Sequence, residues 1–229
     1  MKNHCGFTLV EMLVSMVLLS MVLLISSNAY SLFSERWNGR LGHFNQSVAQ
    51  AKNLILVQES LKSIISYVVT NDQQQAKFYF EGNRNGFVAV TLRSLYTPEV
   101  AAVIRIQITQ NADFSYKLVY QEASMVSELL TKATQQLSFS EPIVLFNNIS
   151  NAEFEYFGWP TDQSKFWTPD SNSTEPEAKA WFDEYNSLER NIQPEQIRIT
   201  FTTNEGAYSL QAKLNDSVPG VLFNYAEQE

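Results

Sequence analysis

Hydrophobic positions are arranged in three different ways along this chain. From Phe7 to Ile25 the residues contain no Gly or Pro and a single charge, Glu11. As a helix rising about 1.5 Å per residue this run reaches roughly 28 Å, the thickness of a bilayer's hydrocarbon core. Ser26, Ser27, Asn28 and Tyr30 mark an exit into a polar interface, and beyond them only Gly39 and Gly42 weaken a helix. Apolar residues then recur three and four apart at Leu41, Phe44, Val48, Ala51 and Ile55. A parallel stripe runs through Leu54, Val57, Leu61, Ile64 and Val68. The pattern predicts one helix from Phe7 to about Val69, roughly 95 Å long, whose second stripe covers a sheet of the same chain or, alternatively, a partner helix.

After the polar string Thr70 to Gln75 the period becomes two. Strands are expected at Phe78–Glu81, Phe87–Leu92, Val103–Thr109, Phe114–Gln121, Ile143–Phe146, Ala152–Phe157, Ile197–Thr203 and Tyr208–Leu214. Ile104, Ile106 and Ile108 alternate with Arg105 and Gln107, as Ile197, Ile199 and Phe201 do with Arg198 and Thr200, which predicts sheets with one wet face. Val126, Leu129, Leu130, Ala133 and Leu137 have helical spacing but fit a loop packed on the sheet equally well. The stretch from Gly158 to Glu184 carries three prolines and Trp159, Trp167 and Trp181. A loop so long is a candidate partner-binding element, with its tryptophans as contacts, or else tucks those rings onto the head itself.

Charge and rare residues narrow the chemistry. Sixteen basic against twenty-four acidic side chains, a net charge of −8, disfavour nucleic-acid phosphates as a partner. Cys5 is the only cysteine, so no intramolecular disulfide forms. His4 and His43 are the only histidines, and no Gly-x-Ser-x-Gly, His-Glu-x-x-His or phosphate-binding glycine loop is present. Glu153 and Glu155 share one face of a strand, where such pairs are usually solvated. Asp162, Asp170, Glu175, Glu177, Asp183 and Glu184 lack the spacing of a calcium loop. These features argue against an enzyme, and no cofactor or metal is expected.

The short polar leader Met1–Gly6, with Lys2, precedes the apolar run, the reverse of a cleavable export signal. It places the leader inside and the C-terminal bulk outside by the positive-inside rule. A carboxylate one turn into such a run is costly in a bilayer and needs a purpose.

The string Gly6-Phe7-Thr8-Leu9-Val10-Glu11, followed by unbroken apolar sequence, resembles the processing site of type IV prepilins and type II secretion pseudopilins. The resemblance implies cleavage between Gly6 and Phe7 by a prepilin peptidase and N-methylation of Phe7. It also implies an assembly contact between Glu11 and the α-amino group of a neighbouring subunit. The implied fold is pilin-like α+β: a long N-terminal helix, transmembrane in its first half, and a globular antiparallel β head of two sheets. The segments are then leader 1–6, membrane and assembly helix 7–25, amphipathic continuation 26–69 and β-rich head 70–229, anchored in the inner membrane by a single pass with the head in the periplasm.

Chain length, the segment Asn148–Phe157 leading into the tryptophan loop, and Gln193–Phe201 followed by another strand are similar to the J-type minor pseudopilin. That likeness implies partners in I- and K-type minor pseudopilins, the major pseudopilin, the inner-membrane assembly platform and membrane lipid, in a tip complex that promotes protein export. A minor pilin of a type IV or mannose-sensitive haemagglutinin-like pilus, working in assembly or adhesion, has the same membrane mechanism and stays open.

Overall fold

The computed structural model describes residues 8–126, 128–168 and 176–214, leaving aside the side chains of residues 38–43, 45 and 46. It divides into two compact units, Met1–Lys52 and Asn53–Glu229. A single helix, α1, runs over Leu9–Lys62. In the first unit its apolar residues point in every direction: large side chains throughout 9–25, among them Leu13, Val17, Leu18 and Leu24, are exposed. Leu9–Trp37 is long and apolar enough to cross a membrane, and none of the side chains in its most apolar stretch is buried inside the protein. The two serines inside the apolar run need no outside partner, because Ser15 Oγ donates to the Glu11 carbonyl at 2.7 Å and Ser20 Oγ to that of Met16 at 2.8 Å.

In the second unit α1 ends at Lys62, seven residues short of the end expected from the apolar stripe. The stripe is buried as predicted at Val57, Leu61 and Ile64, but Ile64 already bridges Thr91 and the Ile65 N–H donates to the Val90 carbonyl at 3.0 Å. Val68 belongs to a strand. The β-branched run Val68–Thr70 (β1) pairs antiparallel with Ala76–Phe78 (β2) around a turn in which Asn71 Oδ1 accepts from the N–H groups of Gln73 and Gln75. Once the sheet offers backbone partners, three residues of β propensity gain more from a ladder than from another helical turn.

The other strands form two antiparallel sheets. Phe80–Asn83 (β3), Gly86–Thr91 (β4), Ala102–Gln110 (β5), Tyr116–Ser124 (β6), Ile143–Ile149 (β7) and Tyr185–Asn186 (β10) make a six-stranded sheet in the order β10-β3-β4-β5-β6-β7. Asn151–Gly158 (β8), Ala180–Phe182 (β9), Gln196–Thr203 (β11) and Gly206–Lys213 (β12) make a four-stranded sheet in the order β12-β11-β8-β9. Asp162–Lys165 (α2) and Ser187–Arg190 (α3) are single helical turns. The architecture is the pilin-like α+β expected, with β1–β2 as an added ribbon; β1, β2, β9 and β10 are strands that the alternation did not reveal, and the strand expected at Phe78–Glu81 is divided at Tyr79 between β2 and β3.

One core joins the last turns of α1 to the facing sides of both sheets: Val57, Leu61, Phe80, Phe87, Ile104, Ile106, Leu118, Tyr120, Phe154, Tyr156, Ile197, Ile199 and Phe201 are all buried in it. Phe80 meets Tyr156 edge-on at 5.6 Å and Phe87 meets Phe154 at 5.8 Å, so the sheets interlock through aromatic rings. The Tyr156 hydroxyl crosses to the other sheet, 2.9 and 2.8 Å from the carbonyl oxygens of Asn83 and Gly86. That ring occupies the space a side chain at Gly82 would need, since a Cβ there would lie 2.4 Å from Tyr156 Cζ. Gly86, at φ +156°, leaves the β3–β4 turn in a conformation that L residues rarely adopt. Burial pushes the Tyr156 phenol well above its ordinary range.

The second face of the six-stranded sheet is drier than the alternation predicted. Val90, Val103 and Ala123 are buried beneath Met125, Leu130, Leu137 and Phe139. Residues 128–139, despite the helical spacing of this region, therefore lie as an irregular strap over the sheet. It is held by the Thr70 N–H donating to the Thr131 carbonyl at 2.9 Å and the Ala133 N–H donating to the Thr70 carbonyl at 2.9 Å. Arg105 stays on this face by placing its guanidinium 3.8 Å over the Phe139 ring. Tyr79, buried there near Glu81, has its phenol pushed up to about 12, chiefly by desolvation.

Candidate assembly site and aromatic loop

The N-terminal signature builds its own local structure. Thr8 precedes the first residue of α1 and Glu11 is the third residue inside it, the Thr-x-x-Glu spacing of a capping box. Both halves of the box are made. The Thr8 N–H donates to Glu11 Oε2 at 2.9 Å, and the Glu11 N–H donates to Thr8 Oγ1 at 3.3 Å, with the Thr8 hydroxyl also donating to Oε2 at 3.0 Å. Glu11 thus satisfies donors at the positive end of its own helix, where a carboxylate is favoured. The carboxylate is exposed rather than sequestered, so a second donor from outside can reach it. Thr8 was not singled out in the sequence, although its spacing to Glu11 was there to be read. Gly6 and Phe7 lie outside the described residues.

Each of the tryptophans between Gly158 and Glu184 is at least partly covered by the head. Trp159 packs partly buried against the main core, with Lys179 Nζ 5.3 Å over its ring. The ring of Trp181 lies 5.2 Å from that of Phe157 and beneath the Arg198 guanidinium at 4.0 Å; Arg198 in turn reaches Glu155 at 2.7 and 2.8 Å. Trp167 is half-buried. Arg190 closes the base of the region, lying 4.2 and 4.6 Å over Phe182 and Tyr185 and donating to the carbonyls of Pro160 and Glu184. The carboxylates are engaged separately: Asp162 accepts from Asn191 Nδ2 at 2.8 Å, and Asp183 pairs with Arg84. Among the described residues no group of three or more His, Cys, Asp or Glu is placed to hold a metal ion; Asp170 and Glu175 lie outside them.

A buried carboxylate that sequence reading passed over proves to be heavily engaged. Glu122, 2% exposed, receives Ser94 Oγ, the Leu95 N–H at 2.8 Å, the Tyr96 N–H at 3.2 Å and the Tyr120 hydroxyl at 2.6 Å. It ties the 92–98 loop to β6, and such full satisfaction is what a buried acid requires. Its neighbour Tyr120 has its phenol pushed up by burial and by this hydrogen bond.

Residues 1–27 match the model of the prokaryotic N-terminal methylation motif. The match supports a type IV pilin- or pseudopilin-like protein, and implies processing by a prepilin peptidase and assembly with other pilin-like subunits. One apolar N-terminal helix fits the single-pass membrane anchor of such proteins. No curated protein matches the chain.

Proposed function

We propose that this chain is the J-type minor pseudopilin of a type II secretion system, a subunit without catalytic activity that joins the tip of a periplasmic pseudopilus and promotes export across the outer membrane. The observation that carries the pilin-like part of this reading is the match of residues 1–27, where a short leader, Gly6-Phe7 and Glu11 precede an unbroken apolar helix. The two-sheet head with a tryptophan-bearing segment after β8 favours the J-type assignment within that class. In this reading the peptidase cuts after Gly6 and Phe7 is N-methylated. The exposed Glu11 carboxylate then exchanges its Thr8 contacts for the α-amino group of a neighbouring subunit, an attraction strengthened by low dielectric. The head faces the periplasm, and Trp159, Trp167 and Trp181 chiefly fasten their own loop.

Two measurements test the proposal. Mass spectrometry of the chain expressed with its peptidase should show loss of Met1–Gly6 and a methylated Phe7; an intact Met1 beside active peptidase overturns the pilin-like reading. Deletion of the gene should abolish secretion of type II exoproteins while leaving surface pili intact, whereas loss of pili with normal secretion overturns the pseudopilin assignment in favour of a minor pilin.

A further inference from the structure

The apolar run stops at Ile25, yet α1 stays uncharged well beyond it. From Met12 to Ser34 the chain contains no Asp, Glu, Lys or Arg, and the first charges after Glu11 are the neighbours Glu35 and Arg36. Tyr30, Phe33 and Trp37 lie in the same stretch, three and four residues apart and therefore on one side of the helix. All three are exposed. The rings of Phe33 and Trp37 stack on each other with centroids 5.7 Å apart, so that they present one continuous apolar plate.

The height of this plate along α1 selects what covers it. Glu11 sits in the first turn, and a carboxylate is tolerated at the boundary of a bilayer far better than inside it, so it marks the membrane surface on the leader's side. Tyr30 stands 19 residues beyond Glu11, Phe33 22 and Trp37 26, which places them roughly 28, 33 and 39 Å higher at about 1.5 Å per residue. A hydrocarbon core is about 30 Å thick, and a bilayer with its headgroups about 40–45 Å. Tyr30 therefore reaches the far edge of the core, and Trp37 the headgroups above it. The ordinary tilt of about 20° lowers Trp37 a little further, and long helical side chains point back toward the N-terminus, so the rings lie below their own Cα atoms. Tyrosine and tryptophan suit this layer because the ring is apolar while the O–H or N–H stays wet. Arg36 adds a guanidinium at the level of the lipid phosphates.

We infer that Tyr30, Phe33 and Trp37 form a lipid anchor seated in the headgroup layer on the side of the bilayer away from the leader. The membrane edge then lies at Tyr30 to Trp37 instead of at Ile25, and withdrawing the subunit into a filament requires lifting the stacked pair out of the lipid. This inference rests on the reading of α1 as a membrane anchor, and it holds for a pseudopilus and a pilus subunit alike.

The test uses the full chain in phosphatidylcholine–phosphatidylglycerol vesicles, with retention after alkaline extraction as a separate check of insertion. Lipids brominated near the top of their acyl chains should quench part of the tryptophan emission, and more of it than lipids brominated near the chain ends. Trp37→Phe should abolish that loss, because Trp159, Trp167 and Trp181 belong to the head. In a Cys5→Ser background, Ser27→Cys should resist a membrane-impermeant maleimide that labels Ala49→Cys, a position on the same side of the membrane. A chain released by alkaline extraction overturns the membrane anchor itself. A retained chain whose Trp37 is unquenched, as when a second copy covers the stripe, overturns the lipid contact alone, and so does Ser27→Cys labelling as fast as Ala49→Cys.

Discussion

The two ends of α1 contain similar residues and meet different surroundings. Leu18, in the first unit, is 58% exposed, while Leu61, in the second, is 1% exposed. Around Leu18 every direction is apolar, so burying one face against protein would leave the rest in water; a lipid phase satisfies all of them at once. Around Leu61 the apolar residues keep to one side, and a sheet suffices. Periodicity, rather than hydrophobicity as such, distinguishes a helix made for lipid from one made for a core.

Substitutions can break or sharpen this contrast. The largest effect is expected from Leu61→Ala, which should lower the stability of the head by about 2–5 kcal/mol, read as a fall in the melting midpoint of the detergent-solubilised chain. Leu18→Ala should leave that midpoint unchanged, and equal shifts would erase the distinction. Leu18→Arg should act on the other unit alone: an insertion penalty of about 2.5–3.5 kcal/mol should appear as protein released by alkaline extraction of membranes, with the head melting as before. Glu122→Gln keeps the shape but removes the charged acceptor beneath the 92–98 loop. A loss of about 1–3 kcal/mol is expected, with faster amide exchange at Leu95 and Tyr96 and none at the start of α1. Thr8→Ala should have the smallest effect, about 1 kcal/mol, confined to faster exchange at the first turn of α1; a shift in the head's melting point would contradict the separation of the two ends.

Much of the head was legible in the alternation of its residues. The strands expected around Val103–Thr109 and Ile197–Thr203 are β5 and β11, offset by at most a residue or so at each end, because a half-buried strand writes its period into the chain. The elements that escaped are those stabilised from elsewhere: β9 and β10 are too short to show a period and exist through their pairing with β8 and β3. The same holds for the strap over 128–139, whose spacing fits a helix but whose Leu130 and Leu137 found a sheet face while Leu129 stays exposed. At the N-terminus, Glu11 was marked by its charge in an apolar run, whereas its Thr8 partner required recognising the cap. Glu122 gave no signal, since a glutamate among strand residues looks solvated until the loop that encloses it is in place.

The amino-acid order by itself determined the apolar anchor, the processing signature and the succession of helix then strands, all of which depend on spacings of a few residues. Tertiary structure alone decided that α1 stops at Lys62, that part of the second face of the six-stranded sheet is covered, that Trp181 is held under Arg198, and that β12 is a long edge strand among the described residues. Each of these depends on which distant backbone or ring arrives as a partner, and the free energy of such a contact is not contained in either segment alone.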